Sequence, residues 1–323
     1  MNLLLTGATG FVGRNALLRA LPGYGKIFAP VRSEAKLRSQ LHGEGVAAKN
    51  VVALGADPAT WGGATPDHAI LGAGVLFARD RQEYFETNVD WTLRVIEALP
   101  ETCRIVVLSS QSAGGPTPED RAARSEDDAD SPITWYGESK LAMERAIRER
   151  FPHRPIVMLR PPMILGPRDQ ATLPLFKMGE GWVRLKPAWH TKSYSFIAVQ
   201  DLVEAIFLAL AAGSLPDQSL YVAAPAPITD WQLIASAVPP GKAGLTLPVP
   251  QPAVRLLSAV VDAVPALRLQ TPSLTRDRAR EIWPPRWVVD GGRFAQWTGW
   301  SAKRGLAETM RETADFYRRT GQL

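Results

Sequence analysis

Tyr136 and Lys140 stand four residues apart. Apolar residues at three- and four-residue spacing predict a helix over residues 134–151, in which positions four apart share one face. A free tyrosine titrates at about pH 10, and a neighbouring ammonium group favours its phenolate form. The pair therefore predicts an acid/base in which Lys140 activates Tyr136 to exchange a proton with an alcohol or carbonyl oxygen. The alternative interpretation is a packed aromatic residue beside a surface charge.

Serine hydroxyls are expected close to this pair. Ser109 and Ser110 follow the apolar run 105–108, which predicts a buried strand. In a doubly wound parallel sheet, ligands bind beyond the C-terminal ends of the strands. Ser110 is therefore predicted to orient the substrate oxygen and to stabilise the charge that develops on it.

Three glycines follow the first apolar run at three-residue spacing. Gly7 allows the tight turn, Gly10 allows a pyrophosphate to approach the backbone, and Gly13 allows the helix to pack on the strand. The helix that starts here presents free N–H groups and a positive dipole to phosphates. This order of strand, turn and helix predicts a dinucleotide site, against the alternative of a glycine-rich turn that binds nothing. The residues expected to contact the cofactor are Thr6, Gly7, Thr9, Gly10, Phe11, Val12 and Gly13.

The end of the second predicted strand bears on the choice of cofactor. NAD-selective sites of this architecture place an acid there for the ribose hydroxyls, whereas this chain has Arg32, with Lys36 one helical turn further on. A guanidinium pairs well with phosphate oxygens. NADP(H) is therefore predicted as the preferred cofactor, with NAD(H) also possible, and a surface arginine and lysine are the alternative. Asp57, after the third strand, is expected to contact the adenine.

The elements that must position these residues alternate along the first 165 residues. This alternation predicts an α/β fold with a Rossmann-type doubly wound parallel sheet, and prolines and glycines after Arg160 end the pattern. We expect a dinucleotide-binding domain over 1–165, completed by 195–224, where residues 195–212 predict one more strand and helix. A smaller, mainly helical substrate-binding region is expected over 166–194 and 225–323. The predicted strands are 2–5, 27–31, 51–54, 69–71, 105–108 and 156–159, and the predicted helices are 11–21, 33–41, 81–99 and 134–151.

Composition limits the other classes of protein. The chain has 323 residues, of which 46% are hydrophobic and 21% are charged, as in an ordinary globular protein. One cysteine and four histidines without ligand spacing predict that there is no metal site. The sequence has no signal-peptide pattern and no run of about 18 apolar residues. No membrane span and a cytoplasmic location are therefore expected.

The net charge of +5 raises the question of nucleic-acid binding. The whole excess lies after residue 225, in a region without a nucleic-acid motif, so no nucleic-acid partner is expected. An arginine cluster there is interpreted as a solvated helix face, with a rim for an anionic ligand as the alternative. The acidic segment 126–130 is expected to be a solvated loop, and the tryptophans are expected mainly in core packing, with the wall of an apolar pocket as the alternative. The arginine cluster consists of Arg276, Arg278, Arg280 and Arg286.

The glycine segment, Ser110, Tyr136 and Lys140 together resemble the short-chain dehydrogenase/reductase superfamily, and the chain length resembles its extended branch of NAD-dependent epimerase/dehydratase-like proteins. The resemblance covers nearly the whole chain, including 159–168, 195–202 and the helix 306–317. It implies that Asn88 is the family's helix asparagine in the catalytic set, and it implies a homodimer through the helices 81–99 and 134–151. The further cofactor contacts expected are Lys140, Ala73, Ser109, Pro161 and Ile164.

Two departures separate this chain from sugar-nucleotide enzymes of that superfamily. Dehydratases use an acidic pair after the active-site hydroxyl, whereas Gln111-Ser112 cannot protonate a leaving hydroxyl, which argues against dehydration. Sugar-nucleotide enzymes often carry an arginine before the Phe-Ile strand, where this chain has Lys192-Ser193-Tyr194, which argues against a diphosphate clamp.

The resemblance therefore favours an NAD(P)(H)-dependent oxidoreductase near the dihydroflavonol reductases and 3β-hydroxysteroid dehydrogenases. Such an enzyme transfers hydride between nicotinamide and a secondary alcohol or carbonyl of a small-molecule substrate, with Tyr136 as acid/base. A nucleotide-sugar epimerase that uses the same residues is the first alternative. A non-catalytic dinucleotide sensor is the second, although a sensor would need only the glycine segment and not Ser110, Tyr136 and Lys140.

Overall fold

The computed structural model describes residues 1–264 and 275–323. The strands of these residues follow the apolar runs of the sequence. They are β1 Asn2–Thr6, β2 Lys26–Pro30, β3 Val51–Leu54, β4 His68–Leu71, β5 Arg104–Leu108, β6 Ile156–Arg160, β7 Met163–Leu165, β8 Val183–Pro187, β9 Ser193–Tyr194, β10 Phe196–Ala198, β11 Leu220–Tyr221, β12 Ile228–Thr229, β13 Leu245–Val249 and β14 Arg286–Trp287.

The helices of the described residues connect and cover these strands. They are α1 Phe11–Ala20, α2 Glu34–Gly43, α3 Arg81–Phe85, α4 Trp91–Glu97, α5 Gln111–Gly114, α6 Trp135–Arg150, α7 Leu173–Gly179, α8 Val199–Ala211, α9 Asp230–Ser236, α10 Gln251–Ala263, α11 Arg276–Ala279, α12 Gly292–Thr298 and α13 Leu306–Arg319. Pro58–Thr60 and Arg280–Ile282 are 3-10 helices, and Glu86–Asp90 is a π-helix.

A seven-stranded parallel sheet forms the centre of the fold, in the order β11-β6-β5-β4-β1-β2-β3. The chain moves outward from β1 to β3 and then returns to place β4 on the other side of β1. The strand order therefore reverses at β1 and β4, and a doubly wound sheet opens its ligand crevice at that point. This topology confirms the predicted Rossmann-type fold.

The main sheet is completed by a strand from the predicted segment 195–224. Residues 196–198 form β10, which pairs with β7 in a separate two-stranded sheet and not with the main sheet. The seventh strand is β11, where Leu220 lies beside Leu159 and Tyr221 beside Arg160. Because β11 has only two residues, the sequence shows no alternation of apolar and polar residues that could predict it. The strand is defined by its pairing with β6.

Two apolar layers enclose the main sheet, because side chains alternate between the faces of a strand. Leu3 and Leu5 point into the layer that contains Leu17 of α1 and Ile206 of α8, together with Phe294. The intervening Leu4 points into the other layer, which contains residues of α4 and α6. A third core, which includes Phe176 and Tyr317, packs the second region of the chain.

The helix predicted over 81–99 is divided into α3, a π-helix and α4. The segment 126–130 is also only partly a solvated loop. The carboxylate of Asp130 pairs with the guanidinium of Arg160 at 2.7 Å, and Glu126 accepts a hydrogen bond from the amide of Tyr221 at 2.9 Å. These two acids fix the loop to the end of the sheet, because buried cations and amides need partners.

The second region contains short sheets and helices. The longest of these helices before the undescribed residues is α10, Gln251–Ala263. Trp182 and Trp189 beside β8 are 68% and 71% exposed, so core packing is wrong for these two tryptophans. Within residues 1–264 and 275–323, no helix has the length and apolarity needed to cross a membrane.

Candidate active site

A cleft of about 910 Å³ opens at the C-terminal ends of the strands on both sides of β1. Its walls come from the turn after β1, the end of β2, the loop after β4 and helix α6. The structure thereby brings together most of the residues that the sequence singled out. Those lining the cleft are Gly7, Thr9, Gly10, Phe11, Val12, Gly13, Arg32, Ala73, Ser109, Tyr136, Lys140, Pro161 and Ile164.

The glycine turn has the geometry of a phosphate cradle. Gly7 has a φ of +71°, which L side chains rarely adopt, and a Cβ at Gly13 would lie 2.0 Å from the Gly7 carbonyl oxygen. Helix α1 begins directly after Gly10, and no side chain caps its N-terminus. The amide groups of its first turn are therefore available to a ligand, and their positive end faces the cleft. These residues fit the pyrophosphate of a dinucleotide.

The remaining predicted cofactor contacts lie at different places around the cleft. Arg32 lines it, whereas Lys36 is exposed on α2 and does not. Thr6 lies beneath the cleft, where its hydroxyl accepts a hydrogen bond from the amide of Ala73 at 3.0 Å. Asp57 accepts from the amide of Ala59 at 3.1 Å and caps a 3-10 helix next to the cleft. Of this pair, Arg32 is thus the basic side chain that lines the cleft.

The part of the cleft lined by Val75, Leu76, Phe77 and Tyr136 is named the substrate end. Tyr136 and Ser110 form its polar centre. Their side chains are hydrogen-bonded, and Tyr136 is half-buried at the wall of the cleft. Burial raises the pKa of Tyr136 above its ordinary value, whereas the Ser110 hydrogen bond and the charge of Arg278 act in the opposite direction. Ser110 is also the N-cap of α5, and its hydroxyl accepts from the amide of Ser112 at 3.1 Å. This cap fixes the hydroxyl beside the phenol.

Lys140 lies one helical turn from Tyr136 and is 5% exposed. Its ammonium donates a hydrogen bond to the carbonyl oxygen of Leu108, at the end of β5, at 2.9 Å. Burial lowers the pKa of Lys140 to about 8, and the carboxylate of Glu144 opposes that change. Lys140 is therefore held against the end of β5, where it lines the cleft.

Asn88 is buried behind the cleft and is not one of its lining residues. It lies in the π-helix, where its amide nitrogen donates to the hydroxyl of Ser139 at 2.9 Å. Its side-chain oxygen accepts from the amide of Val75 at 2.9 Å. Asn88 thus connects helix α6 to the cleft-lining loop after β4, and the structure gives it a positioning contact.

A buried ionic network behind the cleft was missed by the sequence analysis. Arg160 pairs with Glu144 and with Asp130, both at 2.7 Å, and Ser109 donates a hydrogen bond to Glu144. Glu144 follows Lys140 by one turn of α6, so the network fixes this helix against β5 and β6. The sequence signal was a glutamate at a core-facing position of that helix, which would be costly without a partner.

The arginine cluster is only partly the solvated face that the sequence predicted, since Arg276 and Arg280 are exposed whereas Arg278 and Arg286 are half-buried. Arg286 donates to the carbonyl oxygens of Pro118 and Glu119, and Arg276 pairs with Asp262 at 3.8 Å. Arg278 stacks on the aromatic rings at the substrate end of the cleft.

Of the tryptophans within the described residues, Trp91 lines this cleft. No group of three or more metal-binding side chains occurs within 1–264 and 275–323.

Comparison with known proteins places this geometry in a family. Residues 3–223 match the model of the NAD dependent epimerase/dehydratase family. A curated relative, the ceramide reductase of Caulobacter vibrioides, is 28% identical over 326 residues, which covers 99% of this chain and 95% of the relative.

Solved structures show the same fold over the full chain. The UDP-glucose 4-epimerase of Thermotoga maritima has a TM-score of 0.76 at 17% identity and covers 99% of both chains. The UDP-glucuronic acid 4-epimerase of Bacillus cereus, in complex with NAD, has a TM-score of 0.72 at 17% identity, again over 99% of both chains. With a family model that matches residues 3–223 and a glycine cradle at the sheet reversal, the chain belongs to the NAD-dependent epimerase/dehydratase family.

Proposed function

We propose that this protein is an NADP(H)-dependent reductase that converts an apolar ketone or aldehyde to the alcohol, with Tyr136 as the proton donor. The observation that carries this proposal is the pairing of Tyr136, which lines the cleft, with the Ser110 hydroxyl behind it, together with Lys140, which also lines the cleft. A hydroxyl pair at this place has the chemistry to hold and protonate a carbonyl oxygen. A dinucleotide sensor would not need it.

Each residue of the site has its own role in the proposed reaction. The glycine cradle would hold the pyrophosphate of the dinucleotide, which would supply the hydride that the carbonyl carbon accepts. The Tyr136 hydroxyl gives its proton to the carbonyl oxygen, Ser110 donates a hydrogen bond to that oxygen, and Lys140 would hold the cofactor ribose. Because burial raises the pKa of Tyr136, the phenol is protonated at neutral pH and is ready to act as the acid.

The walls of the substrate end favour an apolar molecule. Val75, Leu76 and Phe77 line the cleft beside Tyr136. Lys192, at the position where nucleotide-sugar enzymes often carry an arginine, is buried and donates to the carbonyl oxygen of Ile282. Its ammonium group is therefore not available to bind a diphosphate. The relative named as a ceramide reductase supports a reductase that acts on a lipid-like molecule.

A nucleotide-sugar epimerase is the second candidate. Similarity to UDP-sugar epimerases over 99% of the chain favours it. Arg278, which lies against the cleft-lining rings of Tyr136 and Phe77, is a cation that a diphosphate could approach, although Glu281 already pairs with it at 2.9 Å. The two candidates differ in the fate of the cofactor, since a reductase releases it oxidised in each turnover and an epimerase retains it.

A paired screen distinguishes the two candidates. We expect stoichiometric NADPH consumption with long-chain, aromatic or alicyclic ketones, and no epimer formation from UDP-glucose or UDP-glucuronic acid. NADPH oxidation followed by absorbance and product analysis by mass spectrometry provide the two readouts. Epimer formation without net cofactor turnover would assign the protein to the second candidate instead.

Arg32 is expected to give the preference for NADPH. Replacing Arg32 with alanine should weaken NADPH binding by at least about tenfold and leave NADH binding nearly unchanged, because a charged hydrogen bond to the 2′-phosphate contributes about 1.5–3 kcal/mol. Fluorescence titration of both cofactors measures the two affinities. Lys26→Ala, an exposed basic residue at the opposite end of β2, is the control and should change neither affinity. Equal affinities of the wild-type protein for NADPH and NADH would refute the assignment.

The proposal includes the assembly and the location of the protein. We propose a homodimer through the faces of α4 and α6 that point away from the sheet, and a cytoplasmic enzyme. Two domains, 1–165 with 195–224 and 166–194 with 225–323, are proposed to hold the cofactor and the substrate, respectively.

A further inference from the structure

We infer that Arg278 is a positioning residue that holds the ring of Tyr136 and stabilises its phenolate when the proton leaves. This inference rests on the proposed function only in naming Tyr136 as the acid. The contact itself links the C-terminal part of the chain to the catalytic helix, and the resemblance to known families assigned it no role.

The guanidinium of Arg278 lies against the aromatic rings of the substrate end. Its central carbon is 5.3 Å from the centre of the Tyr136 ring and 5.5 Å from that of Phe77. Tyr84 packs beside Tyr136 with 6.2 Å between ring centres. A cation near the face of an aromatic ring is attracted by its electron density, and the attraction grows when the ring becomes a phenolate.

The position of Arg278 is fixed by its own segment. Glu281, one turn further on, pairs with the guanidinium at 2.9 Å and accepts a hydrogen bond from Thr134 at 2.9 Å. Both carboxylate oxygens of Asp277 accept from the amide of Trp135 at 3.2 Å. Since Thr134 is the N-cap of α6, these contacts clamp 276–282 onto the start of the helix that carries Tyr136.

The charges around Tyr136 give Arg278 a specific effect. Arg278 favours the phenolate, Glu281 and Tyr84 oppose it, and burial opposes it most strongly. Asp277 also faces the start of α6 but is occupied by the helix amide. Lys140 supplies a second cation on the same helix, but its pKa is about 8, whereas an arginine keeps its charge at every accessible pH. Glu281 pairs with two of the guanidinium nitrogens of Arg278, at 2.9 and 3.0 Å, and the buried Nε has no hydrogen-bond partner among the described residues.

The test measures the ionisation of Tyr136 directly. Tyr136→3,5-difluorotyrosine introduces fluorine resonances at this one position, and ring fluorination lowers the phenol pKa into a range where the protein remains folded. A pH titration by fluorine NMR of the full chain without cofactor then gives the midpoint. Adding Arg278→Met should raise that midpoint by about one pH unit, and Arg278→Lys should raise it less, because the ammonium keeps the charge but not the planar stack.

The controls separate electrostatics from a structural role. Arg280→Met removes an exposed positive charge from the same segment and should leave the midpoint unchanged. The double variant Arg278→Met/Glu281→Gln removes both members of the ion pair, so that no unpaired carboxylate remains if the single variant folds poorly. Its midpoint should lie between those of the wild type and Arg278→Met. An unchanged midpoint in Arg278→Met, or an equal shift in Arg280→Met, would overturn the inference.

The inference can fail separately from the proposed function. If no carbonyl compound is reduced but the midpoint shifts as stated, the reductase assignment fails and the role of Arg278 stands. If ketones are reduced and the midpoint does not move, Arg278 only clamps the helix. In an active enzyme, Arg278→Met should also move the inflection in the pH profile of alcohol oxidation upward. A purely structural defect would lower the whole profile without moving the inflection.

Discussion

Replacing Tyr136 with phenylalanine is expected to lower the rate of carbonyl reduction by about 10²- to 10⁴-fold, which is the usual contribution of a positioned general acid. NADPH should still bind with nearly the affinity of the wild type, because the glycine cradle and Arg32 are unchanged. The phenylalanine ring keeps the contacts with Tyr84 and Arg278, so the fold should be retained. Single-turnover reduction and a cofactor titration on the same preparation measure the two effects.

Tyr84→Phe is the matched control for this variant. The two tyrosines are packed against each other, and the hydroxyl of Tyr84 donates to the carbonyl oxygen of Leu76 at 3.0 Å. Its removal costs one ordinary hydrogen bond, about 1 kcal/mol, but no proton donor. We expect a loss of less than about tenfold in rate. Retained turnover in the Tyr136 variant would show that another group protonates the substrate, whatever the fold.

The parts of the site that the sequence predicted are those encoded within one short segment. Gly7 lies in the turn after β1 and Gly13 lies in the first turn of α1 packed against it, and both positions need a residue without a side chain. Tyr136 and Lys140 share a face of a single helix. Ser110 follows a strand whose end must lie at the ligand edge of the sheet. Each of these features depends only on local geometry or on the end of one strand. The spacing of residue types along the chain is therefore enough to predict it.

The parts that the sequence did not predict depend on contacts between distant segments. The strand Leu220–Tyr221 exists because β6 offers an unpaired edge, and Asp130 is ordered because Arg160 is buried beside it. Arg278 had the same appearance in the sequence as its exposed neighbour Arg280. Helical period places them on different sides of the segment, and only the packing of that segment on α6 decides which of them meets Tyr136.

Gly13→Ala is expected to abolish tight cofactor binding. The new Cβ would lie 2.0 Å from the carbonyl oxygen and 2.6 Å from the carbonyl carbon of Gly7. Both atoms belong to the backbone of the cradle turn, which cannot move aside like a flexible side chain, so α1 must shift away from the turn. Such overpacking costs about 1–3 kcal/mol of unfolding free energy. The shift also moves the amides that face the pyrophosphate, and cofactor affinity should fall at least about tenfold, since each charged hydrogen bond is worth about 1.5–3 kcal/mol.

Gly43→Ala provides the matched control, because it makes the same chemical change in the last turn of α2, where a Cβ would meet nothing within 4 Å. An alanine there should bind cofactor normally and leave the protein as stable as the wild type or slightly more stable, since alanine is the better helix former by up to about 1 kcal/mol. Urea unfolding and cofactor titration of both variants decide the matter. Normal NADPH affinity in Gly13→Ala would mean that the pyrophosphate does not bind at the turn after β1. A cradle whose backbone has been displaced by the new Cβ could not keep its hydrogen bonds to a phosphate.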